Sequence, residues 1–274
     1  MGERAVIRLL MLASFFSSAV SAQDTRKLVF ADEFNGPRGS TVDSSKWTMQ
    51  TGGSGWGNKE QEYYTDGSEN AYMDGRGHLI IKAVKQDLPV SYKCWYGQCK
   101  YTSARLTTKS KFDQKYGRFE ARIKIPRGNG MWPAFWLLGN DIDTVHWPQC
   151  GEIDIMENIG REPSTVHGTI HGPGYSGASG IGSPYSLLKS KIFADEFHVY
   201  STIWSENQIS FYVDNNLYKT ITPKDLPAGK RWVYDHPFFI ILNLAVGGNW
   251  PGPPDDQTIF PQTMMVDYVR VYRE

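Results

Sequence analysis

The distribution of apolar and polar positions along the chain predicts many short β-strands. Glycine, proline, asparagine and aspartate recur at short intervals, as is typical of strands joined by tight turns. Segment 119–125 alternates apolar with charged residues, so one face would pack inward and the other would meet solvent. Segments 209–213 and 217–221 flank the sequence Asp-Asn-Asn at 214–216, which predicts a hairpin because these turn residues tolerate positive φ.

Two further segments indicate strands in a layered structure. Segment 238–244 is nearly continuously apolar, which suits a strand covered on both faces. Segment 264–272 forms a C-terminal strand, and helical periodicity is scarce, with a short helical turn expected at 186–189. We therefore expect an all-β sandwich that forms a single domain over residues 23–274.

The first 22 residues are typical of an export signal. Arg4 and Arg8 give a positive start, the apolar run LLMLASFF follows at 9–16, and small residues precede a cleavage point after Ala22. The alternative is a short membrane anchor, but the run is shorter than the roughly 20 apolar residues that span a bilayer. A secreted protein with no membrane partner is expected.

Charge and composition narrow the classes of partner. Lys+Arg and Asp+Glu both number 29, so the chain lacks the basic excess of a nucleic-acid binder. The same balance gives no reason to expect a strongly anionic substrate. Aromatic residues make up 14%, including 9 Trp and 15 Tyr. These side chains either stack on sugar rings or fill the core, and composition does not separate the two uses.

The 3 cysteines divide into a close pair and one remaining thiol. Cys94 and Cys99 enclose a four-residue loop, and a local disulfide is expected in an exported protein. Cys150 is left over just before a strand that we expect to be buried, so it is expected to be an inert core thiol.

The segment GEIDIMEN at 151–158 is the most informative part of the sequence. On a regular strand, Glu152 and Asp154 share one face while Glu157 points to the other, among isoleucines. That would bury an unpaired carboxylate at a cost of several kcal/mol. A β-bulge near 155–156 adds one residue to the strand and returns Glu157 to the face of the other two acids.

With the bulge, the outer two acids suit the hydrolysis of glycosidic bonds. Four strand steps of about 3.3 Å put their Cβ atoms roughly 13 Å apart. Side chains leaning together bring the carboxyl groups to about 5 Å, the separation in retaining enzymes, whereas inverting enzymes need roughly 6.5–9.5 Å. Asp154 lies between them, where it would orient Glu152 and help raise the pKa of the acid. The same three acids would also suit a calcium site or a solvated acidic face.

The acid segment resembles the signature of glycoside hydrolase family 16, in the branch that carries the extra residue and includes the laminarinases. The branch that hydrolyses mixed-linkage β-1,3-1,4-glucan typically lacks that residue. Further blocks resemble family segments in the expected order. They are DEF at 32–34, GWGNKE at 55–60, YGRFEAR at 116–122, WPAFW at 132–136, HGPGY at 171–175 and NLAVGGNWPG at 243–252.

The resemblance implies a β-jelly-roll sandwich of two antiparallel sheets, with a concave substrate cleft and endo-acting, retaining cleavage of β-1,3-glucan. It implies Glu152 as nucleophile, Asp154 as assisting acid and Glu157 as general acid/base. It implies no cofactor for catalysis, a β-glucan polysaccharide as partner, and a monomer.

The resemblance also implies a set of side chains that contact the sugar. The two WPAFW tryptophans would stack on sugar faces or pack in the core, the histidine would line the cleft or make a structural hydrogen bond, and Glu60 would bond hydroxyls or brace a loop. The family often has glutamine where this chain has Glu62. The expected contacts are Asn58, Glu60, Trp132, Trp136, His171 and Trp250.

Family members often carry a structural calcium on the convex side. The matching ligands are the backbone oxygens of Glu33 and Gly77 and the side chain of Asp267. Asp267 alternates with apolar residues of the C-terminal strand, so we expect it on a buried face, where a carboxylate needs a cation or strong hydrogen bonds.

Several functions compete with β-1,3-glucan hydrolysis. A β-1,3-1,4-glucanase or a transglycosylase would use the same fold. A glucan-recognition protein would be expected to lack one or both of the outer acids, and this chain has both. Agarases and κ-carrageenases share the bulged motif, although a neutral chain is unfavourable for binding a sulfated polymer.

Overall fold

The computed structural model describes residues 26–188 and 190–273, and the expected signal peptide at 1–22 lies outside this part of the chain. The described residues form two large β-sheets with little helix, which confirms the all-β prediction. The strands are β1 (Lys27–Asp32), β2 (Thr48–Gln50), β3 (Glu62–Tyr64), β4 (Ala71–Met73), β5 (Leu79–Lys85), β6 (Lys93–Cys94), β7 (Gly97–Gln98), β8 (Tyr101–Ser103), β9 (Arg105–Thr107), β10 (Asp113–Gln114), β11 (Gly117–Lys124), β12 (Met131–Gly139), β13 (Glu152–Glu157), β14 (Thr165–His171), β15 (Ile181–Ser186), β16 (His198–Ser205), β17 (Gln208–Val213), β18 (Asn216–Ile221), β19 (Phe238–Val246) and β20 (Gln262–Arg273). The helices are α1 (Ile142–Val145) and two 3₁₀ turns, Gly177–Ser179 and Pro223–Asp225.

The two sheets pack face to face as a sandwich. One has the order β18-β17-β16-β11-β20-β5-β8-β3, with β1 beside β20 and β4 beside β5. The other has the order β15-β14-β13-β12-β19-β9-β2, with β10 beside β19. Neighbouring strands are often far apart in sequence and are antiparallel apart from β3–β8, which is the arrangement of a β-jelly roll.

Alternation along each strand divides the side chains between the core and the outer faces. In β12, Phe135 and Leu137 join the main core cluster, whereas Trp132 and Trp136 are half-buried on the opposite face. The nine residues of β19 are all buried, which confirms the strand covered on both faces. Burial of these apolar side chains, at about 25 cal/mol per Å² of apolar surface, holds the sheets together and fixes the register of the strands that carry polar groups.

The predicted hairpin is present, and the predicted helical turn is not. β17 and β18 are joined through Asp214 and Asn215, whose φ values are 49° and 65°. In segment 186–189, Ser186 ends β15 and residues 187 and 188 are not helical, so the prediction of a turn there is wrong. Leu188 is largely exposed, and a single isolated turn does not repay the cost of helix nucleation. Among the described residues no helix has the length and apolar character needed to cross a membrane.

The predicted β-bulge is present in β13. Asp154 and Met156 stand opposite consecutive residues of β12, so Ile155 is the extra residue. The register with β14 shifts at the same place. Ile155 and Met156 are both buried, while Glu157 is half-buried. The bulge therefore sends two consecutive apolar side chains inward and returns Glu157 to the side of Glu152.

A second bulge, in β20, changes the orientation of Asp267. Val266 and Tyr268 pair with consecutive residues of β11, which leaves Asp267 as the extra residue. Its side chain is 31% exposed and accepts a 2.6 Å hydrogen bond from Nη1 of Arg122. The expectation that Asp267 lies on a buried face is therefore wrong, because the bulge interrupts the alternation on which it rested.

The disulfide between Cys94 and Cys99 is present, with a Cα–Cα distance of 5.2 Å, as predicted. It closes the β6–β7 hairpin, which contacts the GWGNKE segment: the Trp95 indole donates to the Glu60 carbonyl at 2.7 Å. Cys150 is a free, buried thiol. Burial raises the pKa of Cys150 to about 12, so the thiol stays protonated and inert.

Two buried glutamates support the loop that follows β19. Glu62 is fully buried, and its Oε2 accepts a 2.6 Å hydrogen bond from the backbone N–H of Val246. Glu60 lies beside it, and the two side chains are hydrogen-bonded to each other. Burial, followed by the charge of Glu60, raises the pKa of Glu62 well above its usual value. Glu62 therefore acts as a neutral acid that shares a proton with Glu60.

We predict that Glu62→Gln stabilises the protein at high pH. A carboxyl group with a raised pKa in the folded state contributes stability below its unfolded pKa, and this contribution is lost as the pH rises through the folded pKa. Glutamine keeps an oxygen for the Val246 N–H and does not ionise. Urea denaturation at pH 8 should show the variant more stable by on the order of 1 kcal/mol, with a smaller difference at pH 5.

The exposed Glu69→Gln is the matched control, since the same change of charge there should alter neither stability nor its pH dependence. The change in the free energy of unfolding between pH 5 and pH 8 is compared in Glu62→Gln and in the unmodified chain. If the two changes were equal, Glu62 would not be the buried titrating group.

Candidate active site

The three acids of β13 lie together on the outer face of the eight-stranded sheet. Glu152 and Asp154 alternate on the strand, and the bulge brings Glu157 to the same face. The Asp154 side chain is 4% exposed and that of Glu152 is 17% exposed. The acids therefore form the floor of the site. Asp154 is the more deeply buried of the two, and Glu152 is more accessible to a ligand.

His171 reaches these acids from the neighbouring strand. It stands directly opposite Glu152 in the β13–β14 pair. Its Nε2 is 3.1 Å from Oδ2 of Asp154 and 3.9 Å from Oε1 of Glu152. The structure thus places the predicted histidine in the acid cluster, where its positive charge when protonated favours the ionised forms of Glu152 and Glu157.

The shared burial of the acids changes their protonation. Burial, followed by the charge of Asp154, raises the pKa of Glu152 to about 8. Burial raises the pKa of Asp154 to about 7, while a hydrogen bond from Glu152 acts in the opposite direction. Because both pKa values are raised, the pair keeps a proton that ordinary carboxyl groups would have lost at neutral pH.

Glu157 holds its proton more firmly than an ordinary glutamate. Burial raises its pKa well above the usual value, and the charges of Asp154 and Glu152 act in the same direction. A 2.9 Å hydrogen bond from Nε1 of Trp132 to Oε1 of Glu157 opposes this rise. The site therefore contains a protonated carboxyl group beside a pair that shares one proton, which is the arrangement that acid-assisted bond cleavage requires.

Three of the predicted aromatic contacts form the walls around the acids. The rings of Trp132 and Trp250 meet edge to face at 5.7 Å, and both side chains are half-buried. Trp136 donates from Nε1 to Oδ1 of Asn243 at 2.7 Å. Trp132 and Trp250 lie outside the buried core, whereas Trp136 is half-buried and packs against the small cluster of Leu138, Cys150, Phe239 and Ile241. The alternative of core packing therefore describes Trp136 in part and does not describe Trp132.

The GWGNKE segment is tied to the sheet through Glu60. This residue is 4% exposed, and its two oxygens accept from Asn58 Nδ2 at 3.3 Å and Tyr64 Oη at 2.9 Å. Glu60 is therefore a brace, the second of the two roles considered for it. Asn58 is exposed, and its carbonyl accepts from the backbone N–H of Asn249 at 2.7 Å. The segment is thus joined to the loop that carries Trp250.

Sequence reasoning missed Trp147 at this site. Its side chain lies close enough to Glu152 to lower the pKa of that carboxyl group, and its ring lies 6.4 Å from that of His171. The side chain is 44% exposed, which is unusual for tryptophan. Its position a few residues before the acid strand, next to Pro148, was the available signal.

Sequence reasoning also missed Arg105, which contacts two tryptophans of the site. The guanidinium lies 4.8 Å from the ring of Trp56 and 4.7 Å from that of Trp136, and its Nε donates to Gln50 at 2.7 Å. A charged residue inside the otherwise uncharged strand β9 was the signal. Arg105 covers part of Trp136 and fixes its orientation through cation–π contact.

Only one of the three expected calcium ligands is a side chain, that of Asp267, and it is not a buried, uncompensated carboxylate. The charge of Asp267 is balanced by Arg122, and both side-chain oxygens of Glu33 accept from Arg270 at 2.8 Å. Gly77 adopts a positive φ of 87° and faces the side chain of Asn35. The fit to Ca²⁺, which prefers six to eight oxygens, is therefore poor at Asp267.

Comparison with known proteins places this geometry in a family. The family model described as "Glycosyl hydrolases family 16" matches residues 56–270. "Glucan endo-1,3-beta-glucosidase A1" of Niallia circulans is 40% identical over 265 residues, covering 90% of this chain and 38% of that protein. "Beta-glucanase" of Rhodothermus marinus is 41% identical over 255 residues, covering 90% of this chain and 85% of that protein. The chain thus spans well under half of the first relative and most of the second.

A solved structure agrees with these sequence relatives. The laminarinase catalytic domain from Thermotoga maritima MSB8 superposes with a TM-score of 0.84 at 47% identity, covering 91% of this chain and 98% of that one. From its fold, its bulged acid strand and these relatives, the chain belongs to glycosyl hydrolases family 16 and is a glycoside hydrolase.

Proposed function

We propose that this chain is a secreted endo-β-1,3-glucanase that cleaves laminarin-like glucan with retention of configuration. The observation that carries the proposal is the bulge in β13, which puts Glu152 and Glu157 on one face of the sheet. Similar proteins named as laminarinases and glucan endo-1,3-beta-glucosidases support the choice of substrate. The export-type N-terminus and the Cys94–Cys99 disulfide support secretion.

In the proposed mechanism the two outer acids have separate roles. Glu152 attacks the anomeric carbon while Glu157 gives its proton to the leaving oxygen, and the resulting glycosyl-enzyme is then hydrolysed by a water that Glu157 deprotonates. The raised pKa of Glu157 supports its role as the starting acid. Asp154 takes the proton of the Glu152–Asp154 pair, so that Glu152 attacks as the anion.

The aromatic side chains would position the sugar across these acids. Trp132 donates to Glu157 and packs against Trp250, while Trp147 stands beside Glu152. Half-exposed indoles offer flat apolar faces to pyranose rings. Tryptophans beside both outer acids suit a polymer that extends in both directions from the cleaved bond, as endo-acting cleavage requires.

Glu152→Gln should abolish the release of reducing sugar from laminarin, with a loss of kcat/KM of at least about a thousandfold. Glutamine keeps the size and removes the nucleophilic oxygen. The exposed Glu206→Gln is the matched control and should retain full activity. Residual activity of Glu152→Gln close to that of the control would contradict the assigned nucleophile.

The same assay defines the substrate and the products. Laminarin, mixed-linkage glucan, agarose and κ-carrageenan are digested side by side, and product lengths are measured. The proposal predicts short β-1,3-linked oligosaccharides from laminarin and little release from agarose or κ-carrageenan. Preferential cleavage of mixed-linkage glucan, or accumulation of products longer than the substrate, would support a β-1,3-1,4-glucanase or a transglycosylase instead.

Trp132→Phe should move the alkaline limb of the pH profile of kcat/KM to higher pH. The indole N–H stabilises the charged form of Glu157, so its removal raises the pKa of that carboxyl group. Activity needs Glu157 protonated and falls as the pH rises through its pKa. Weaker stacking would lower kcat/KM at every pH, whereas only the lost hydrogen bond moves the limb. An unmoved or acid-shifted limb would contradict the role of Glu157.

The calcium site at Glu33, Gly77 and Asp267 stays a prediction that rests on the family resemblance. Binding there would require Asp267 to exchange its hydrogen bond with Arg122 for the cation. Elemental analysis of the purified protein tests this prediction. Absence of calcium, together with a melting temperature that chelators do not change, would show that the site is not present.

A further inference from the structure

The acid cluster also contains the donors of a transition-metal site. One oxygen each from Glu152 and Asp154 and one nitrogen of His171 lie within 4.8 Å of one another. Two of these residues come from β13 and the third from the directly paired position of β14. Adjacent strands of a well-packed sheet thus hold all three donors without any loop.

The distances between these donors are close to those that zinc imposes. Ligands about 2.1 Å from a tetrahedral Zn²⁺ lie about 3.4 Å from one another. The Nε2 of His171 is 3.1 Å from Asp154 Oδ2 and 3.9 Å from Glu152 Oε1. The two carboxylate oxygens lie within 4.8 Å of each other, so side-chain rotation would have to bring the donors to the distances that the ion requires.

A buried oxygen that accepts no hydrogen bond belongs to this cluster. Asp154 is 3% exposed, and its Oδ2 lies at ion-pair distance, 3.1 Å, from Nε2 of His171 without accepting a hydrogen bond. An unsatisfied buried carboxylate oxygen is costly. A divalent cation coordinated by Oδ2 would remove that cost and the repulsion between the two neighbouring carboxylates.

We propose that Glu152, Asp154 and His171 bind one Zn²⁺, and that the bound ion excludes the glucan. Two carboxylates with one imidazole suit zinc, whereas Ca²⁺ and Mg²⁺ require more oxygen ligands. These residues supply three donors, which leaves the fourth position of a tetrahedral ion for water. Because the ion occupies the carboxylate that must attack the sugar, it acts as a competitive inhibitor. This inhibitory effect rests on the proposed function, whereas the binding site does not.

The surroundings of His171 set the strength of this site. When Nε2 binds the ion, the ring proton resides on Nδ1, which is buried without a partner and faces Gly180. Metal-binding histidines usually donate this proton to an acceptor, and the loss of such a partner lowers affinity about 10–100-fold. The site is therefore expected to bind zinc reversibly and to release it to a chelator.

The test is calorimetric titration of the metal-free, untagged full chain with ZnCl₂. One ion should bind per chain, and His171→Ala and Asp154→Asn should each weaken binding by at least about tenfold. His236→Ala is the matched control, because His236 also lies beside two carboxylates, those of Asp141 and Asp235, and its loss should leave the binding unchanged. Circular dichroism checks that each variant is folded.

Initial rates on laminarin measure the effect of the bound ion. Zinc should raise the apparent KM in proportion to its concentration, leave kcat unchanged, and lose its effect on addition of EDTA. Unchanged binding in both His171→Ala and Asp154→Asn, a loss of binding in His236→Ala, or bound zinc that leaves KM unaltered would overturn the proposal. If the wild-type chain did not hydrolyse laminarin, the proposed function would fail while the titration still decided the zinc site.

Discussion

The alternation of side chains along a strand is the constraint on which the site depends. In an unbroken β13, Glu157 would point into a core that also receives Ile153 and Ile155. A single extra residue reverses this outcome, because Ile155 and Met156 both turn inward and Glu157 returns to the cleft. The sandwich core makes the bulge stable, since the buried apolar residues on either side fix the register with β12 and β14.

Burial then gives the acids their chemical character. Carboxyl groups in ordinary surroundings are ionised at neutral pH, whereas those in β13 have raised pKa values because water is largely excluded and their charges repel one another. The hydrogen bond from the Trp132 indole to Glu157 and the Trp147 side chain beside Glu152 partly offset this rise. The same crowding of carboxylates that keeps a proton available for the leaving group also creates the cation-binding geometry beside His171.

The sequence was sufficient to predict features that depend on local periodicity. The strand alternation, the β17–β18 hairpin, the bulge and the Cys94–Cys99 disulfide were all predicted and are all present. The family resemblance predicted the jelly roll, and it also predicted that His171 and Trp132 lie near the acids. The bulge could be predicted because a regular strand would bury Glu157 without a partner, at a high cost in free energy.

Features that depend on contacts between distant segments could not be predicted in this way. Arg105 contacts the rings of both Trp56 and Trp136, and these three residues come from three different parts of the chain. The bulge at Asp267 was missed because this acid satisfies its charge with Arg122 on a neighbouring strand, so the local pattern carries no sign of it. Trp147 approaches Glu152 through an irregular segment that no periodicity describes.

The stereochemistry of the newly released sugar tests the central claim most directly, because it reports how far apart the two outer carboxyl groups act. Proton NMR of laminarin digestion within the first minutes, before the anomers interconvert, should show the β-anomer at the new reducing end. That result requires Glu152 to attack the sugar itself, with Glu157 about 5 Å away. Initial release of the α-anomer would mean that water attacks between more widely separated acids, and would contradict the account.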